Sequence, residues 1–334
     1  MYFVMYDKNL NALGKRKTYP ASSWNITKKI FDFDSCTIEG FPIEFDVNDA
    51  MFVSLNEDSG KIKYSAIVGI SSVKNNVTTI TCSDLKTILN NEIIIDFNRT
   101  FTSVKSVYEY LLNELISQNK NFFGFSEFTI IANDIESVSF NSNSIVKEKA
   151  IGNVWKTLLN LNQFYNIYFT MEIDFINKAY KVILKRMNVD NLTINKNDFN
   201  LDLSKKVNTG TNRAVCLNST GTAKTVYYLL RDNSVVLENE ILDNSLIIYP
   251  AKIKLFQEDD YEKAKANGKQ ELLKSRFDEK VEINLNLKMG YLLENKDFNT
   301  TVDIKGYKVL PIGQIKEDSK GNRSVILGIE KEEF

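Results

Sequence analysis

Carboxylates carry whatever acid–base chemistry this chain can do near neutral pH, because its 334 residues include no histidine. Histidine is the usual general base at that pH and the commonest metal ligand. Its absence removes the Ser-His-Asp and Cys-His mechanisms, the His-based zinc sites and the two-His-one-carboxylate iron sites together. A glycosidase needs only two suitably spaced Asp or Glu side chains. The candidates are the adjacent pairs Glu57 with Asp58, Asp259 with Asp260 and Glu332 with Glu333, and the set Asp32, Asp34, Glu44 and Asp46. Adjacent residues point to opposite faces of a strand and lie about 100° apart around a helix, so sequence neighbours rarely form an opposed acid and nucleophile. Solvated turn or helix-start charge fits all three pairs, and Asp259 and Asp260 stand where acids favour a helix N-terminus. Asp32, Asp34, Glu44 and Asp46 alternate along strands and would line one face. That face could bind a cation or a sugar, but the outer face of a barrel wall is the simpler expectation.

Other chemistries find little support. Neither Gly-x-Gly-x-x-Gly nor Gly-x-x-x-x-Gly-Lys-Ser/Thr occurs, so both common phosphate-cradling loops are missing. Cys36, Cys82 and Cys216 are scattered without Cys-x-x-Cys spacing and read as small buried hydrophobes. Trp155 with Phe164 and Tyr165 has the look of a sugar-stacking platform, but aromatics at helical spacing belong more often to a core. No catalytic, cofactor-binding or metal-ligating residue is assigned on these grounds.

The elements that would position such side chains are mostly strands. Hydrophobic residues make up 43% of the chain and charged residues 25%, which is the balance of a folded soluble protein. The net charge of −1 supplies no global field toward nucleic acid or an anionic membrane. Met1–Tyr6 is apolar but is ended by Asp7 and Lys8 with no basic segment before it, so it is not expected to be a secretory signal. No run approaches the roughly 20 apolar residues that span a bilayer.

Short alternating segments such as Trp24-Asn25-Ile26 and Phe41–Asp46 make 1–97 an antiparallel barrel or sandwich. After Asn98–Ser103 the period turns helical, with Val104, Val107, Tyr108, Leu111, Leu112 and Leu115 on one face. A second helix is predicted from Ser144 to Tyr165, with Ile151, Val154, Trp155, Leu158, Leu159 and Leu161 at near-helical spacing. Strands Ile167–Phe175 and Tyr180–Arg186, joined at Asn177-Lys178, complete an α+β unit over 98–190. Strands resume at Asn212–Asn218, and 225–277 reads as an insertion with a strand pair and an amphipathic helix from about Asp259 to Phe277. The remainder, Lys280–Lys331, returns to strands.

Two hairpins at opposite ends of the chain read alike. Ala66–Val73 returns through Lys74-Asn75-Asn76 as Val77–Cys82, and Leu310–Lys316 returns as Ser324–Ile329; Gly69 and Gly313 hold matching places, and a short strand precedes each copy. Two readings stand: a duplicated β module presenting two equivalent surfaces, or coincidence between ordinary hairpins with common turn chemistry.

This order of modules resembles the baseplate hub and tail-associated proteins of tailed bacteriophages and related contractile particles. The resemblance is carried by Ile80–Asp84 closing the first β domain, the helix-then-hairpin middle, Asn212-Arg213-Ala214-Val215, and the late run from Val281 through Gly306-Tyr307-Lys308 to the closing hairpin. It implies a mainly β, α+β multi-domain fold with two similar tube-like β-barrels: one over 1–97, the other over 191–224 with 278–334. The outer α+β domains would be 98–190 and 225–277. It also implies a non-enzymatic role as a homotrimeric ring in the virion tail, made in the host cytoplasm and without membrane insertion or cofactor. Such a ring would join the tail tube or distal tail protein to tip, spike or receptor-binding proteins, and DNA would pass through its lumen without specific binding. A carboxylate-dependent glycosidase and a cell-wall glycan-binding or adhesin module are the alternatives.

Overall fold

A computed structural model describes all residues except 41–48, 97–98, 120–127, 134, 137, 142–150, 196–199, 203–210, 232–233, 249–250, 276–280, 285–292, 294–295, 306–307 and 329–334. The fold is mainly β and multi-domain. It begins with β1 (Tyr2–Tyr6), β2 (Tyr19–Lys29), β3 (Ser35–Gly40), β4 (Phe52–Asn56), β5 (Ile62–Lys74) and β6 (Val77–Ser83). These close into a six-stranded antiparallel barrel in the order β1-β4-β5-β6-β3-β2 and back to β1. The closure follows from alternation: Tyr19, Trp24 and Ile26 of β2, Cys36 and Ile38 of β3, and Ile80 and Cys82 of β6 all turn inward onto Phe3, Met5, Val53 and Leu55.

A middle unit follows, with β7 (Glu92–Ile94), α1 (Val104–Gln118), β8 (Phe128–Ile131), β9 (Ile151–Asn153), α2 (Val154–Tyr165), β10 (Ile167–Asp174) and β11 (Ala179–Arg186). α1 starts where Ser103 accepts from the Ser106 amide and Ser106 caps back, a reciprocal box. Every residue of its expected apolar face is buried. α2 starts later than its apolar spacing suggests. Asn153 takes an extended backbone and caps the Lys156 amide, and Ile151 lies before it in β9, paired with β7 and 58% exposed. The earlier part of that predicted helix, 144–150, lies outside the described residues. β10 and β11 form the predicted hairpin, flanked by β8 in a three-stranded sheet.

The chain then forms β12 (Asp190–Asn195) and β13 (Asn200–Asp202), and a four-stranded excursion of β14 (Arg213–Asn218), β15 (Lys224–Leu229), β16 (Val235–Leu237) and β17 (Ile253–Glu258) covered by α3 (Tyr261–Ser275). Leu272 of α3 packs on Ala214 and Leu229. It closes with β18 (Val281–Asn284), β19 (Thr300–Lys305), β20 (Lys308–Asp318) and β21 (Arg323–Leu327).

The pairings of these last strands repeat the first barrel. β13-β18-β21-β20-β19 has the neighbour order of β2-β3-β6-β5-β4, each strand standing in the same chain sequence. The sixth strand differs in direction: β12 lies parallel to β19, whereas β1 is antiparallel to β4. The two hairpins share one irregularity. The β5–β6 register slips between Val68 and Ile70, and the β20–β21 register slips between Ile312 and Gln314, so Gly69 and Gly313 are both bulge residues. Glycine is required at the first because a Cβ on Gly69 would sit 2.7 Å from the Thr81 carbonyl oxygen. The turns differ: Asn75 and Asn76 both take positive φ in a two-residue turn, while the second runs through Gly321 at φ 80°.

Gly69→Ala is expected to force the bulge open and cost about 1–3 kcal/mol, the range for overpacking a close contact. Urea unfolding of the purified chain measures it.

Candidate functional site

The closed barrel and the second β module, whose end strands β12 and β13 do not pair with each other among the described residues, meet through their long strands. Beyond its own irregularity between Ala21 and Ser23, β2 leaves β1, to which it pairs only at Tyr19 and Pro20. Beyond Gly313, β20 has likewise left β19, to which it pairs only through Lys308–Pro311. Each strand then has an open edge, and the two edges pair with each other antiparallel, Asn25 with Asp318 through Lys29 with Gln314. The ladder extends at both ends: the Ser319 amide donates to the Trp24 carbonyl at 2.9 Å and the Ile30 amide to the Gly313 carbonyl at 3.1 Å. One continuous sheet therefore runs through the barrel and the second β module.

Charge seals the outside of this seam. Glu317 pairs with Lys63 at 2.8 Å and with Arg323 at 3.4 Å, and Lys63 lies over the Trp24 ring at 4.8 Å. Burial raises the Glu317 carboxyl, but Lys63, Lys28 and Arg323 outweigh it and hold it below the usual range.

Beneath the seam lies a buried ion cluster. Asp84 caps the short 3-10 helix Leu85–Leu89, and Lys86 in its first turn points back into the protein. The Lys86 ammonium meets Asp34 and Asp84 at 3.0 Å each and donates to the Asp32 and Lys29 carbonyls at 2.7 and 3.1 Å. The Lys29 amide donates to Asp34 and the Asp34 amide to Asp84. Burial pushes Asp34 up to about 6; Lys86 opposes the shift and Asp84 reinforces it. Burial alone would lower Lys86, yet the two carboxylates raise it. The cluster opens onto a cavity of about 350 Å³ where all three parts converge, with Lys28 and Lys63 from the first barrel, Glu172 and Lys185 from the β10–β11 hairpin, and Asp297 before β19. The Tyr64 hydroxyl is buried there without a hydrogen-bond partner among the described residues.

The sequence-predicted acids are placed differently from one another. Asp32 and Asp34 lie in the loop between β2 and β3, not along a strand, and Asp34 faces inward onto Lys86 because that loop folds under the barrel end. This corrects the expectation of an outer barrel wall. Asp32 pairs with Lys29. Glu57 and Asp58 lie in the β4–β5 turn, where Asp58 takes the Met1 ammonium at 2.7 Å. Asp260 accepts from the Glu262 amide at the start of α3. Glu44, Asp46, Glu332 and Glu333 lie outside the described residues. Cys36, Cys82 and Cys216 are buried and free, and contact with Cys82 and burial push the Cys36 thiol far above its usual value. Trp155 is core, between Phe33 and Phe169. Lys86 was not singled out in the sequence, where a lone lysine after a capping Asp carries no distinctive spacing.

No protein-family model matches the chain, and no curated protein matches it in sequence. Solved structures do match. The 43 kDa tail protein of prophage MuSo2 from Shewanella oneidensis aligns at TM-score 0.53 and 14% identity, covering 98% of each chain. The prophage tail protein gp18 from Listeria monocytogenes EGD-e aligns at TM-score 0.57 and 10% identity, covering all of this chain and 96% of that one. The chain has the fold of these prophage tail proteins. At such identity the likeness resides in strand order and connection, so the seam and the buried cluster above are described from this chain's own residues.

Lys86→Met should destabilise the protein by about 3–5 kcal/mol, since it strands two buried carboxylates, and adding Asp34→Asn should recover part of the loss. Asp34 binds its proton more tightly folded than unfolded, so its contribution is fully present below the ordinary carboxyl value of 3.8 and is lost as pH rises through about 6. Thermal melts across that interval should show stability declining with pH, and Asp34→Asn should flatten the decline.

Proposed function

We propose that this chain is a non-enzymatic structural subunit of a bacteriophage or prophage tail. Three copies form a hub ring that joins the tail tube or distal tail protein to the tip, with a lumen through which DNA passes. The observation that supports this most is the pair of β modules with one strand order and one bulge position, held in a single sheet by β2 and β20. A subunit carrying two like modules lets three copies present six similar faces, which reconciles a threefold tip with a sixfold tube. The fold shared with two prophage tail proteins along nearly their whole lengths supports the same reading.

The acids speak for structure over hydrolysis. Asp34 and Asp84 do come together, but Lys86 neutralises them and backbone amides occupy their oxygens, whereas a glycosidase acid must stay free to give its proton to substrate. A glycan-stacking surface is not favoured by Trp155, which is buried in the core.

Light scattering of the purified chain with negative-stain imaging tests the proposal. A species of three subunit masses, imaged as a ring with a central opening, is the expected result. A particle of another symmetry, or a compact oligomer without an opening, would overturn it.

A further inference from the structure

Of the three cysteines in the chain, two face each other. β3 and β6 pair antiparallel with Cys36 directly opposite Cys82. Both side chains turn into the barrel, 2% and 5% exposed, within the cluster built on Phe3, Met5 and Leu55. The two are in contact there, and both are free thiols. The Cys82 thiol donates to the Ile80 carbonyl at 3.8 Å. Strand register brings this pair together, not local spacing.

Two observations separate the pair from ordinary small core residues. The first is distance. Opposed residues of an antiparallel ladder have Cα atoms about 4.5 or 5.5 Å apart, depending on the type of pair, and a disulfide spans about 4.4–6.8 Å. Either type can be bridged with the backbone where it stands. The second is the other β module. Thr81 faces Ile70 just past the bulge at Gly69, and Ile326 faces Gln314 just past the bulge at Gly313. Cys82 therefore corresponds to Leu327, and Cys36 to Val281, which opposes it. Aliphatic residues hold these places in the second module, so the strand pairing itself does not call for sulfur.

The thiols also lie near an entrance. Asp34 just before β3 and Asp84 just after β6 line the cavity of about 350 Å³, as does Tyr64, which packs on the core that holds both sulfurs. A small neutral oxidant in that cavity is separated from the pair by the Tyr64 side chain and the barrel end. Contact with Cys82 and burial hold the Cys36 proton far more tightly than usual, so thiolate is scarce and reaction is slow while the barrel stays intact.

We propose that Cys36 and Cys82 form a two-electron redox site, oxidised by a small peroxide to a disulfide that staples β3 to β6 inside the intact barrel. One thiol attacks hydrogen peroxide: its S–H bond and the O–O bond break, an S–O bond forms, and water leaves a sulfenic acid behind. The second thiol displaces the hydroxyl. The S–S bond forms as the S–O bond breaks, and the second thiol's proton departs with the hydroxyl as water. Since β3 is also the strand on which β2 rests, the staple stiffens the sheet beside the seam. The bond rests on strand register alone; its timing rests on the tail reading, in which the chain is made in a reducing cytoplasm and works outside it, where disulfides persist.

The test treats the full chain with hydrogen peroxide in two ways, as the folded protein and during refolding from urea. The product is denatured without reductant, alkylated with N-ethylmaleimide and read by mass spectrometry. Expected is a single adduct, on Cys216, with the Cys36 and Cys82 peptides joined within one chain. The oxidised protein should melt at a higher temperature than the reduced one, and reductant should reverse the rise. Cys36→Ala and Cys82→Ala should each abolish the bridge and the rise together. Three adducts after both treatments, sulfinic acid on either cysteine in place of the bridge, or a bridge that lowers the melting temperature would overturn the proposal. Any of these leaves the hub reading standing, because light scattering and imaging test it separately.

Discussion

A strand edge presents backbone amides and carbonyls that must find partners, and the organisation of this protein follows from where the long strands β2 and β20 find theirs. β2 and β20 each outrun their first neighbour, and the eleven-residue length of both is what lets them. A strand of ordinary length has about half as many residues. The irregularity at Ala21/Ser23 and the bulge at Gly313 bend each strand away from that neighbour, so the freed edges of the distal halves pair with each other while their other edges stay on β3 and β21. Ten residues thus hold in one sheet two β modules that are separated in sequence by an entire α+β unit.

The buried ion cluster completes this arrangement from below. The loop after β2 must reverse direction beneath the seam to begin β3, and its carbonyls and Asp34 would be left desolvated there. Lys86 satisfies them at one stroke, at a site where a neutral side chain would leave an uncompensated charge. Its orientation is set by Asp84, which caps the helix that carries it and accepts from it. The middle unit then packs on this base, Trp155 within 6.0 Å of the Lys86 ammonium, and Leu159 and Tyr168 reach into the core of the second β module.

Local periodicity made much of the fold legible in the sequence. The apolar face of α1, the β10–β11 hairpin and the two glycine-bearing hairpins are patterns written within a few residues, and the structure forms each of them. The start of α2 was less legible, because Ile151 fits a helical period but a strand partner at β7 claims it. Asp34 and Lys86 were illegible as a pair: they are 52 residues apart, and their meeting depends on a loop path that no periodicity encodes. The parallel placement of β12 beside β19 left no trace in the sequence.

The central claim is that β2 and β20 make the barrel and the second β module one hydrogen-bonded body. Amide hydrogen exchange of the purified chain, resolved to the peptides that contain Asn25–Lys29 and Gln314–Asp318, tests it most directly. Exchange as slow as that of the β3–β6 ladder inside the first barrel is the result the account predicts. Exchange at the rate of an open edge, with both modules otherwise protected, would mean that they are joined by chain connection alone and would contradict it.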